Sequence, residues 1–457
     1  MSAGKHRSVM LIGLGTAIVP LDSAVNIAFP AITRDFGLPL PAIQWLVVAY
    51  VLTYAALLLA MGRIGDLAGH RGVFRLGLCW SVAALAACAL APSYPLLLAA
   101  RVAQGIGSAL VLACGPALLT ALYRESERAR ALGHYTMCFA LGAALGPVVG
   151  GVLIARWGWP AVFWFRAPLA LAALLLPWHS PPATRGDVKR ASFDFAGAVL
   201  LALALAGLIL AIGRLRDAAG RAPAALLLAA AGAAFAGFIR RERRATAPII
   251  DPALFQAPGF ARINLGSVLV NVASFAVLLL VPYELARIAA LPDVIAGGVL
   301  TIGGMGTVIG SPLGAALARR FGGPPILAAG ALVTAAGLTL IAGEGTATLA
   351  ALIPGLALQG FGLGLFQVAY IDLVTGAMPV AARGVAGSLA LLTRTMGLVL
   401  GASLLSLVYA VFERGALAAG GTAPSAFLAG FRLSFACAAA LAAVVALGEA
   451  LSLVRRR

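Results

Sequence analysis

Long apolar runs separated by short polar loops make up nearly the whole chain. We count fourteen runs of membrane-spanning length, which lie near residues 9–31, 42–61, 73–91, 95–121, 130–154, 160–177, 195–212, 222–239, 260–282, 294–317, 324–342, 348–371, 385–411 and 428–453. A helix needs about 20 apolar residues to cross the hydrocarbon core of a bilayer. The runs do not alternate with period two, so they predict helices and not the strands of a barrel.

The composition excludes a soluble protein. The chain has 457 residues, of which 62% are hydrophobic and 11% charged, and its mean hydropathy is +1.01. A soluble domain of this length needs a polar surface that such a chain cannot supply. Within lipid, helices satisfy their own backbone hydrogen bonds. We therefore predict an all-α polytopic membrane protein with about 14 transmembrane helices, one for each apolar run.

The basic residues indicate how the chain lies in the membrane. Of the 33 Lys and Arg residues, we assign 22 to the side of the two termini, 8 to the opposite side and three, Arg101, Arg166 and Arg394, to spans. Basic loops stay in the cytoplasm, so we expect cytoplasmic termini and an inner (cytoplasmic) membrane location. The arginines between the seventh and eighth runs fall on the side opposite to the termini, against this pattern. If these two runs did not span the membrane, the remaining twelve spans would keep the same orientation. Topology thus explains the net charge of +17, and we expect no nucleic-acid partner.

Two loops resemble each other and divide the chain. GRIGDLAGHRG (62–72) and GSPLGAALARRFGG (310–323) each carry glycines near a span end, followed by arginine on the cytoplasmic side. Repeated halves are typical of secondary transporters, whose substrate site lies where the halves meet. We predict an N-terminal six-helix bundle at 1–178, a linker with two extra transmembrane helices at 179–259 and a C-terminal six-helix bundle at 260–457.

The sequence shows no enzyme or metal site. It has no nucleophile beside a base, no histidine cluster and no phosphate-binding glycine loop, so ATP is not the direct energy source. The five cysteines all fall in apolar runs, without a disulfide or zinc pattern. We expect neither catalytic residues nor a cofactor.

Several motifs, in a fixed order, carry a resemblance to a known family. The four main ones are PLDSAVNIAFPAI (20–32), GRIGDLAGHRG (62–72), RVAQGIGSA (101–109) and GAALGPVVGG (142–151). Further matches lie at 156–170, 193–200 and from Arg383 to Gly397. By the order and spacing of these motifs the chain resembles the major facilitator superfamily, and within it the fourteen-span drug:proton antiporters. Three residues depart from the usual family pattern: Leu67 and Gly72, where a basic residue is usual, and Arg166, where asparagine is usual.

The resemblance implies both a fold and a function. The fold is that of the major facilitators, with two six-helix bundles and two inserted helices. The function is proton-coupled antiport that exports amphipathic drugs or similar small molecules by alternating access, with a small-molecule cargo, protons and lipid as partners and a monomer as the expected state. Cationic drugs are the usual cargo, but three arginines in the spans leave room for an endogenous metabolite or lipid. A non-transporting membrane sensor is the less favoured alternative.

An aspartate inside the first run predicts where protons are coupled. A carboxylate near the centre of a spanning helix costs about 2.5–3.5 kcal/mol, so something must compensate Asp22. Counting about 1.5 Å per residue from the run ends places Asp22, Arg101 and Arg166 at comparable depths. Burial raises the pKa of a carboxyl group and a nearby cation lowers it, so a changing environment would bind and release a proton. We predict that Asp22 is the proton-coupling acid with Arg101 as its partner; the alternative is a static ion pair.

Other polar residues in the runs predict the transport path. Arg101, Gln104 and Ser108 share one helix face, which should line a cavity rather than meet lipid. Glu284 is a second proton-coupling candidate, although Arg287, one turn away, offers a surface ion pair as the alternative. The remaining residues expected to line the substrate cavity are Asn26, Arg166, Asn264, Asn271, Gln359, Gln367 and Arg394.

Two motifs predict parts of the molecule that move. Small residues let helices pack closely, and proline removes a helical hydrogen bond and bends the helix. The residues expected to hold the cytoplasmic side closed are Gly62, Asp66, Gly69 and Arg71. Those expected to form a bendable contact are Gly146, Pro147, Gly150 and Gly151. The alternatives are a solvated turn for the first set and ordinary packing for the second.

Overall fold

The computed structural model is helical through nearly all the residues that it describes, which are 3–121, 128–175, 194–214, 221–245, 259–343, 349–377 and 383–454. These ranges hold seventeen α-helices: α1 Ala3–Ala17, α2 Ala24–Ile27, α3 Phe29–Asp35, α4 Gln44–Ala68, α5 His70–Ala89, α6 Tyr94–Ala121, α7 Arg128–Trp157, α8 Ala161–Trp164, α9 Arg166–Leu175, α10 Phe195–Arg214, α11 Arg221–Glu242, α12 Phe260–Arg287, α13 Asp293–Phe321, α14 Gly323–Ala342, α15 Leu349–Ala377, α16 Arg383–Ala418 and α17 Ala423–Val454. The predicted all-α fold is confirmed. The basic residues Arg124, Arg216 and Arg455–Arg457, used to assign sidedness, lie outside the described ranges.

The apolar helices coincide with the predicted runs. Eleven stretches of the described chain are long and apolar enough to cross a membrane. Three shorter apolar helices, Leu141–Trp157, Ala161–Leu175 and Val199–Ile212, fall on the fifth, sixth and seventh runs. Length and composition therefore support eleven spans in the described residues, fewer than the fourteen predicted from the sequence.

Helices α1–α9 pack together as a first group, with α6 between α4 and α5. Two glycines bring α6 close to its neighbours. A Cβ atom on Gly105 would lie 2.8 Å from the carbonyl oxygen of Tyr50, and one on Gly107 would lie 2.5 Å from the Ser81 hydroxyl. Because only glycine permits these approaches, the polar residues of α6 are held against α4 and α5.

Helices α12–α17 form a second group, in which α15 packs between α13 and α14. Glycines again set the separation, since a Cβ atom on Gly310 of α13 would lie 2.3 Å from the carbonyl oxygen of Phe361 on α15. Between the two groups along the chain, α10 and α11 pack against each other. Helix α10 also contacts α4 of the first group and α16 of the second.

The two related segments are helical rather than loops, which corrects the sequence interpretation. Helix α4 runs to Ala68 and α13 runs to Phe321. A single glycine with positive φ, Gly69 at +95° and Gly322 at +87°, then separates each helix from the next. L-residues rarely adopt that backbone conformation. Both segments therefore make the same sharp helix–glycine–helix turn, which supports the proposed internal repeat.

Contacts at the helix ends define two faces of the molecule. Arg262 at the start of α12 forms an ion pair with Glu449 at the end of α17, with 2.9 Å between Nε and Oε1. Thr33 at the end of α3 shares a hydrogen bond with Tyr283 at the end of α12. The ends of α3 and α12 therefore lie together at one face, and the start of α12 and the end of α17 lie together at the other. We name the face with the end of α17 the terminal face and the face with the ends of α3 and α12 the opposite face.

Contacts between the two groups lie towards the opposite face. Besides the Thr33–Tyr283 bond, the hydroxyl of Ser406 on α16 donates to the side-chain oxygen of Gln44 at the start of α4. The main hydrophobic core is continuous across both groups at this end. A second apolar cluster lies wholly within the second group, at the terminal-face ends of α12, α15 and α17. The interface between the groups is therefore closed at the opposite face.

Candidate functional site

Asp22 lies where the first apolar run departs from regular helix. A 3-10 turn at Pro20–Ser23 separates α1 from α2. Pro20 has no backbone N–H, so it cannot continue the α-helical hydrogen-bond ladder. The backbone N–H of Asp22 donates instead to the carbonyl of Val19, at 3.0 Å. The side chain of Asp22 keeps 13% of its surface exposed, so the carboxylate is nearly but not fully enclosed.

Arg101 on α6 makes a two-pronged contact with this carboxylate. Its Nη1 and Nη2 donate to Oδ1 and Oδ2 of Asp22 at 2.7 and 2.8 Å. The Nε of the same guanidinium donates to the carbonyl of Leu46, at 2.9 Å. Its central carbon lies 4.2 Å from the ring centroid of Tyr50. The bidentate geometry and the aromatic face fix the arginine in one orientation.

Arg166 reaches the same carboxylate from another direction. It is the first residue of α9, after a one-residue break in the helix at Phe165. Its Nη1 donates to Oδ1 of Asp22 at 2.6 Å, and its Nε donates to the carbonyl of Val162 at 3.1 Å. The side chain is fully buried. Asp22 therefore lies between two guanidinium groups.

The helix face predicted from spacing on α6 is present in the structure. Gln104 donates through Nε2 to Oδ1 of Asp22 at 3.1 Å and accepts through Oε1 from Nη1 of Arg101 at 2.8 Å. Ser108 shares a hydrogen bond of 3.1 Å with the hydroxyl of Tyr50. Tyr50 therefore touches both Arg101 and Ser108. Sequence reasoning missed Tyr50, because a tyrosine in an apolar run carries no signal of its own.

We call Asp22, Arg101, Arg166 and Gln104 the ion cluster. Every contact that Asp22 receives within it is from an N–H donor, so the carboxylate acts only as an acceptor. Two cations and one anion leave a net charge of +1. Removing one partner of a buried ion pair costs about 3–5 kcal/mol, because a charge is then left buried and uncompensated. The cluster therefore ties the turn before α2 to α6 and α9.

The second group holds a separate polar network. Asn264 accepts from the hydroxyl of Tyr370 at 2.8 Å, and that hydroxyl also lies 3.0 Å from Thr393. Thr393 lies 3.1 Å from Ser267, one turn along α12 from Asn264. Most of these groups are buried and satisfied by one another. Sequence reasoning missed Ser267, Tyr370 and Thr393, because hydroxyl residues are common in spanning helices and only the packing brings them together.

Two further amides join this network near α15. Gln367 donates to the side-chain oxygen of Asn271 at 3.2 Å, and Asn271 donates to the carbonyl of Ser267 at 2.7 Å. Gln367 is half-buried, whereas Gln359 is buried with its side-chain oxygen close to Gly303 of α13. The expected cavity-lining amides are therefore divided between the network and the contact with α13.

The other predicted site residues lie apart from both clusters. Asn26 is buried in α2, four residues after Asp22. Arg394 is exposed on α16 and close enough to Tyr54 of α4 for an electrostatic interaction. Glu284 is buried, with only 2% of its surface exposed. The guanidinium carbon of the nearby Arg287 lies 5.1 Å from the ring centroid of Tyr283.

The first conformational motif forms the turn between α4 and α5. Gly62 lies within α4, where its nearest neighbour is Ala113 of α6 at 3.9 Å from an ideal Cβ. Asp66 lies in the last turn of α4 and not at a helix N-terminus, and its side chain lies outside the described part of the structure. Gly69 supplies the positive φ of the turn, and Arg71 is exposed in the first turn of α5.

The second motif lets α7 contact two partners at once. On one face, a Cβ atom on Gly146 would lie 1.9 Å from Oγ of Ser23, and Gly150 approaches Ala24 in the same way. This face brings α7 against the segment that carries Asp22. Helix α7 continues as one helix through Pro147.

The other face of α7 meets α13 of the second group. A Cβ atom on Gly151 would lie 2.3 Å from the carbonyl oxygen of Asp293, and one on Gly297 would lie 2.3 Å from the carbonyl oxygen of Pro147. The two backbones therefore touch without intervening side chains. Helix α7 links the Asp22 segment directly to the second group.

Comparison with known proteins gives a consistent family. The family model described as Major Facilitator Superfamily matches residues 9–239 of the sequence. The Tetracenomycin C resistance and export protein of Streptomyces glaucescens is 30% identical over 417 residues, which cover 88% of this chain and 76% of that protein. The Multidrug resistance protein Stp of Mycobacterium tuberculosis is 29% identical over 417 residues, which cover 90% of this chain and 77% of that protein.

Solved structures show the same fold. A bacterial homolog of the human lysosomal transporter Spinster, in an inward-facing and unoccupied conformation, superposes with a TM-score of 0.68 at 17% identity. The superposition covers 100% of this chain and 99% of that one. At this identity the likeness supports the helical architecture alone.

Proposed function

The chain belongs to the major facilitator superfamily, and from that premise we propose that it is a proton-coupled antiporter that exports amphipathic small molecules across the cytoplasmic membrane by alternating access. The observation that carries the proposal is the ion cluster, in which one membrane-embedded carboxylate is shared by two guanidinium groups. Relatives named for drug resistance and antibiotic export support the direction and the cargo class.

Proton coupling in this proposal runs through Asp22. In the present arrangement all its contacts are donors, so the carboxylate is held in its charged form. A rearrangement that withdraws Arg101 or Arg166 would leave the carboxylate short of donors, and a proton would then replace the lost cation. The helix irregularities beside Asp22 and Arg166 suit such a rearrangement, because transporters build binding sites from discontinuous helices.

Alternating access in this proposal uses the contact between the two helical groups. The opposite face is closed by the Thr33–Tyr283 and Ser406–Gln44 hydrogen bonds and by the α7–α13 contact. We infer that the described state opens towards the terminal face, which the positive-inside rule makes the cytoplasm. Export then requires the opposite-face contacts to break and the terminal-face ends to close.

The number of spans belongs to the same proposal. The three short apolar helices stand where the fifth, sixth and seventh runs lie. Most side chains of α7 before Leu141 and some of α10 are outside the description. Fourteen spans would give two six-helix bundles, at 1–178 and 260–457, with α10 and α11 inserted between them. The resemblance to the fourteen-span antiporters supports this count.

A second candidate function is export of an endogenous secondary metabolite or lipid. It is favoured by the positive charge of the ion cluster, which suits a cargo other than the cationic drugs expected from the resemblance. Both candidates are transporters and differ only in cargo. A protein of this fold that acts as a sensor would bind a ligand without moving protons.

Proteoliposomes that contain a pH-sensitive dye test the proposal. A proton gradient is imposed, and cationic, neutral and anionic amphiphiles are added to the native protein and to Asp22→Asn. We expect at least one compound to move protons through the native protein and none to do so through the variant. Asp35→Asn is the matched control, since Asp35 is an exposed acid that accepts a hydrogen bond from Trp159 near the opposite face. Equal proton movement by Asp22→Asn and the native protein would contradict the proposal.

A further inference from the structure

The guanidinium of Arg166 has donors that the protein does not use. Its Nε donates to Val162 and its Nη1 donates to Asp22. Its Nη2 is buried and has no hydrogen-bond acceptor among the described residues. A buried donor without an acceptor costs free energy, because it has lost its water and gained nothing in return. Arg166 therefore presents two N–H groups that an incoming acceptor would satisfy.

The charge around Arg166 also favours an acceptor that is an anion. In the part of the chain that the structure describes, Asp22 is the one carboxylate within ion-pair distance of Arg101 or Arg166. The cluster therefore keeps one uncompensated positive charge. That charge lies among aromatic rings, with the guanidinium carbon of Arg166 at 5.6 Å from the ring centroid of Phe163 and 6.0 Å from that of Phe165. In such a weakly polar setting a charge attracts its counter-ion strongly.

We propose that Arg166 makes this transporter prefer anionic cargo, namely an apolar aromatic compound that carries one carboxylate or one acidic phenol oxygen. The inference rests on the proposed function, because it concerns what the same site transports. The anionic oxygen accepts from Nη2 of Arg166, while Asp22 keeps its bidentate pair with Arg101. The net charge of the cluster falls from +1 to zero when a monoanion binds. The aromatic body lies against Phe165, which is half-buried, whereas Phe163 is fully buried.

This assignment gives a function to the departure from the family pattern at Arg166. Asparagine at that position would add no charge, so Asp22 and Arg101 would balance and a cation would meet no repulsion. Arginine adds one positive charge and two free donors. The same scaffold would thus change its preferred cargo charge through one residue.

Equilibrium binding tests the inference without requiring transport. The native protein in lipid nanodiscs is titrated with three fluorescent probes that differ only at one end: pyrene-1-butyrate, pyrene-1-butanamide and pyrene-1-butylammonium. Empty nanodiscs correct for partition into lipid. We expect the butyrate to bind at least about tenfold more tightly than the amide, as a charge-assisted hydrogen bond at a desolvated site provides. Equal affinity for butyrate and amide in the native protein would overturn the inference.

Variants locate the preference on Arg166. Arg166→Gln should lose the preference for butyrate and bind the ammonium probe at least as well, whereas Arg166→Lys should keep part of the preference because it keeps the charge. Arg156→Gln removes the same charge from an exposed position at the end of α7 and should behave as the native protein does. A preference for butyrate that survives in Arg166→Gln would show that Arg166 does not cause it. A preference lost equally in Arg156→Gln would assign it to the overall charge of the chain and not to Arg166.

The binding assay separates this inference from the proposed function. If the native protein prefers butyrate but moves no protons in proteoliposomes, the anion site is supported and the antiport mechanism is contradicted. If it moves protons with cationic or neutral compounds and binds butyrate no better than the amide, antiport is supported and the anion site is contradicted.

Discussion

Replacing Gly297 by alanine should open the opposite face. The ideal Cβ atom of residue 297 would lie 2.3 Å from the carbonyl oxygen of Pro147, and the α carbon of Gly151 lies 3.3 Å away. Cβ atoms essentially never come closer than 3.0 Å to a heavy atom of a residue that is not their neighbour in the chain, so α7 and α13 must separate. Overpacking of this kind costs about 1–3 kcal/mol. That cost falls on the state in which the two helices touch, so its population relative to the open state should drop by about 5- to 150-fold.

Distances between spin labels across the opposite face measure this change. One label on Leu90 at the end of α5 and one on Ala419 after α16 place an exposed probe on each helical group. The native cysteines are replaced first. We expect Gly297→Ala to shift the distance distribution towards longer distances in double electron–electron resonance.

The neighbouring residue supplies the control. A Cβ atom on Gly298 meets nothing within 4 Å, so Gly298→Ala adds the same methyl group to the same helix without a clash. Its distance distribution should match that of the native protein. If Gly297→Ala folds and leaves the distribution unchanged, or if both variants shift it equally, the α7–α13 contact does not hold the opposite face closed.

Three smaller perturbations test other parts of the structure. Tyr283→Phe removes the hydrogen bond to Thr33, which contributes about 0.5–1.5 kcal/mol. The same spin labels should therefore show a two- to about tenfold larger population of the open state. An unchanged population would show that this hydrogen bond does not hold the opposite face closed. Gly69→Ala forces a φ of +95° on an L-residue. The resulting strain of about 1–3 kcal/mol should lower the midpoint of thermal unfolding. An unchanged midpoint would show that the turn adopts another backbone conformation without cost. Arg262→Gln leaves the buried carboxylate of Glu449 without its cation. Because Arg262 is 40% exposed, the free energy of unfolding should fall by about 1–3 kcal/mol. Adding Glu449→Gln should restore part of this free energy, and a double variant with no restoration would show that the loss does not come from the unpaired carboxylate.

The sequence predicted the ion cluster better than it predicted the polar network. Asp22 is costly inside an apolar run, and counting residues along the helices placed Arg101 and Arg166 at a comparable depth. Charged residues in spans are rare, so each one is informative. Ser267 carries no comparable signal, because a serine hydroxyl is tolerated in a spanning helix, where it can bond to the backbone of its own helix. Tyr370 carries none either, because a tyrosine in an apolar run is common in a buried helix.

Helix boundaries and close contacts were the least predictable features. The several glycines of segment 310–323 predict a loop, yet helix α13 continues to Phe321 and only Gly322 breaks it. Glycine in a spanning helix marks close packing as often as it marks a turn. Which partner Gly151 touches depends on the arrangement of α7 and α13 in space, and no local pattern contains that information.

The central claim is that Asp22 changes its protonation during transport. Infrared difference spectroscopy on the native protein in lipid, recorded as a transported compound is added, detects the carbonyl band of a newly protonated carboxyl group directly. We predict a band that appears or disappears with the compound in the native protein and is absent in Asp22→Asn. A native spectrum without such a band, or the same band in the variant, would contradict the claim that this carboxylate couples protons to cargo.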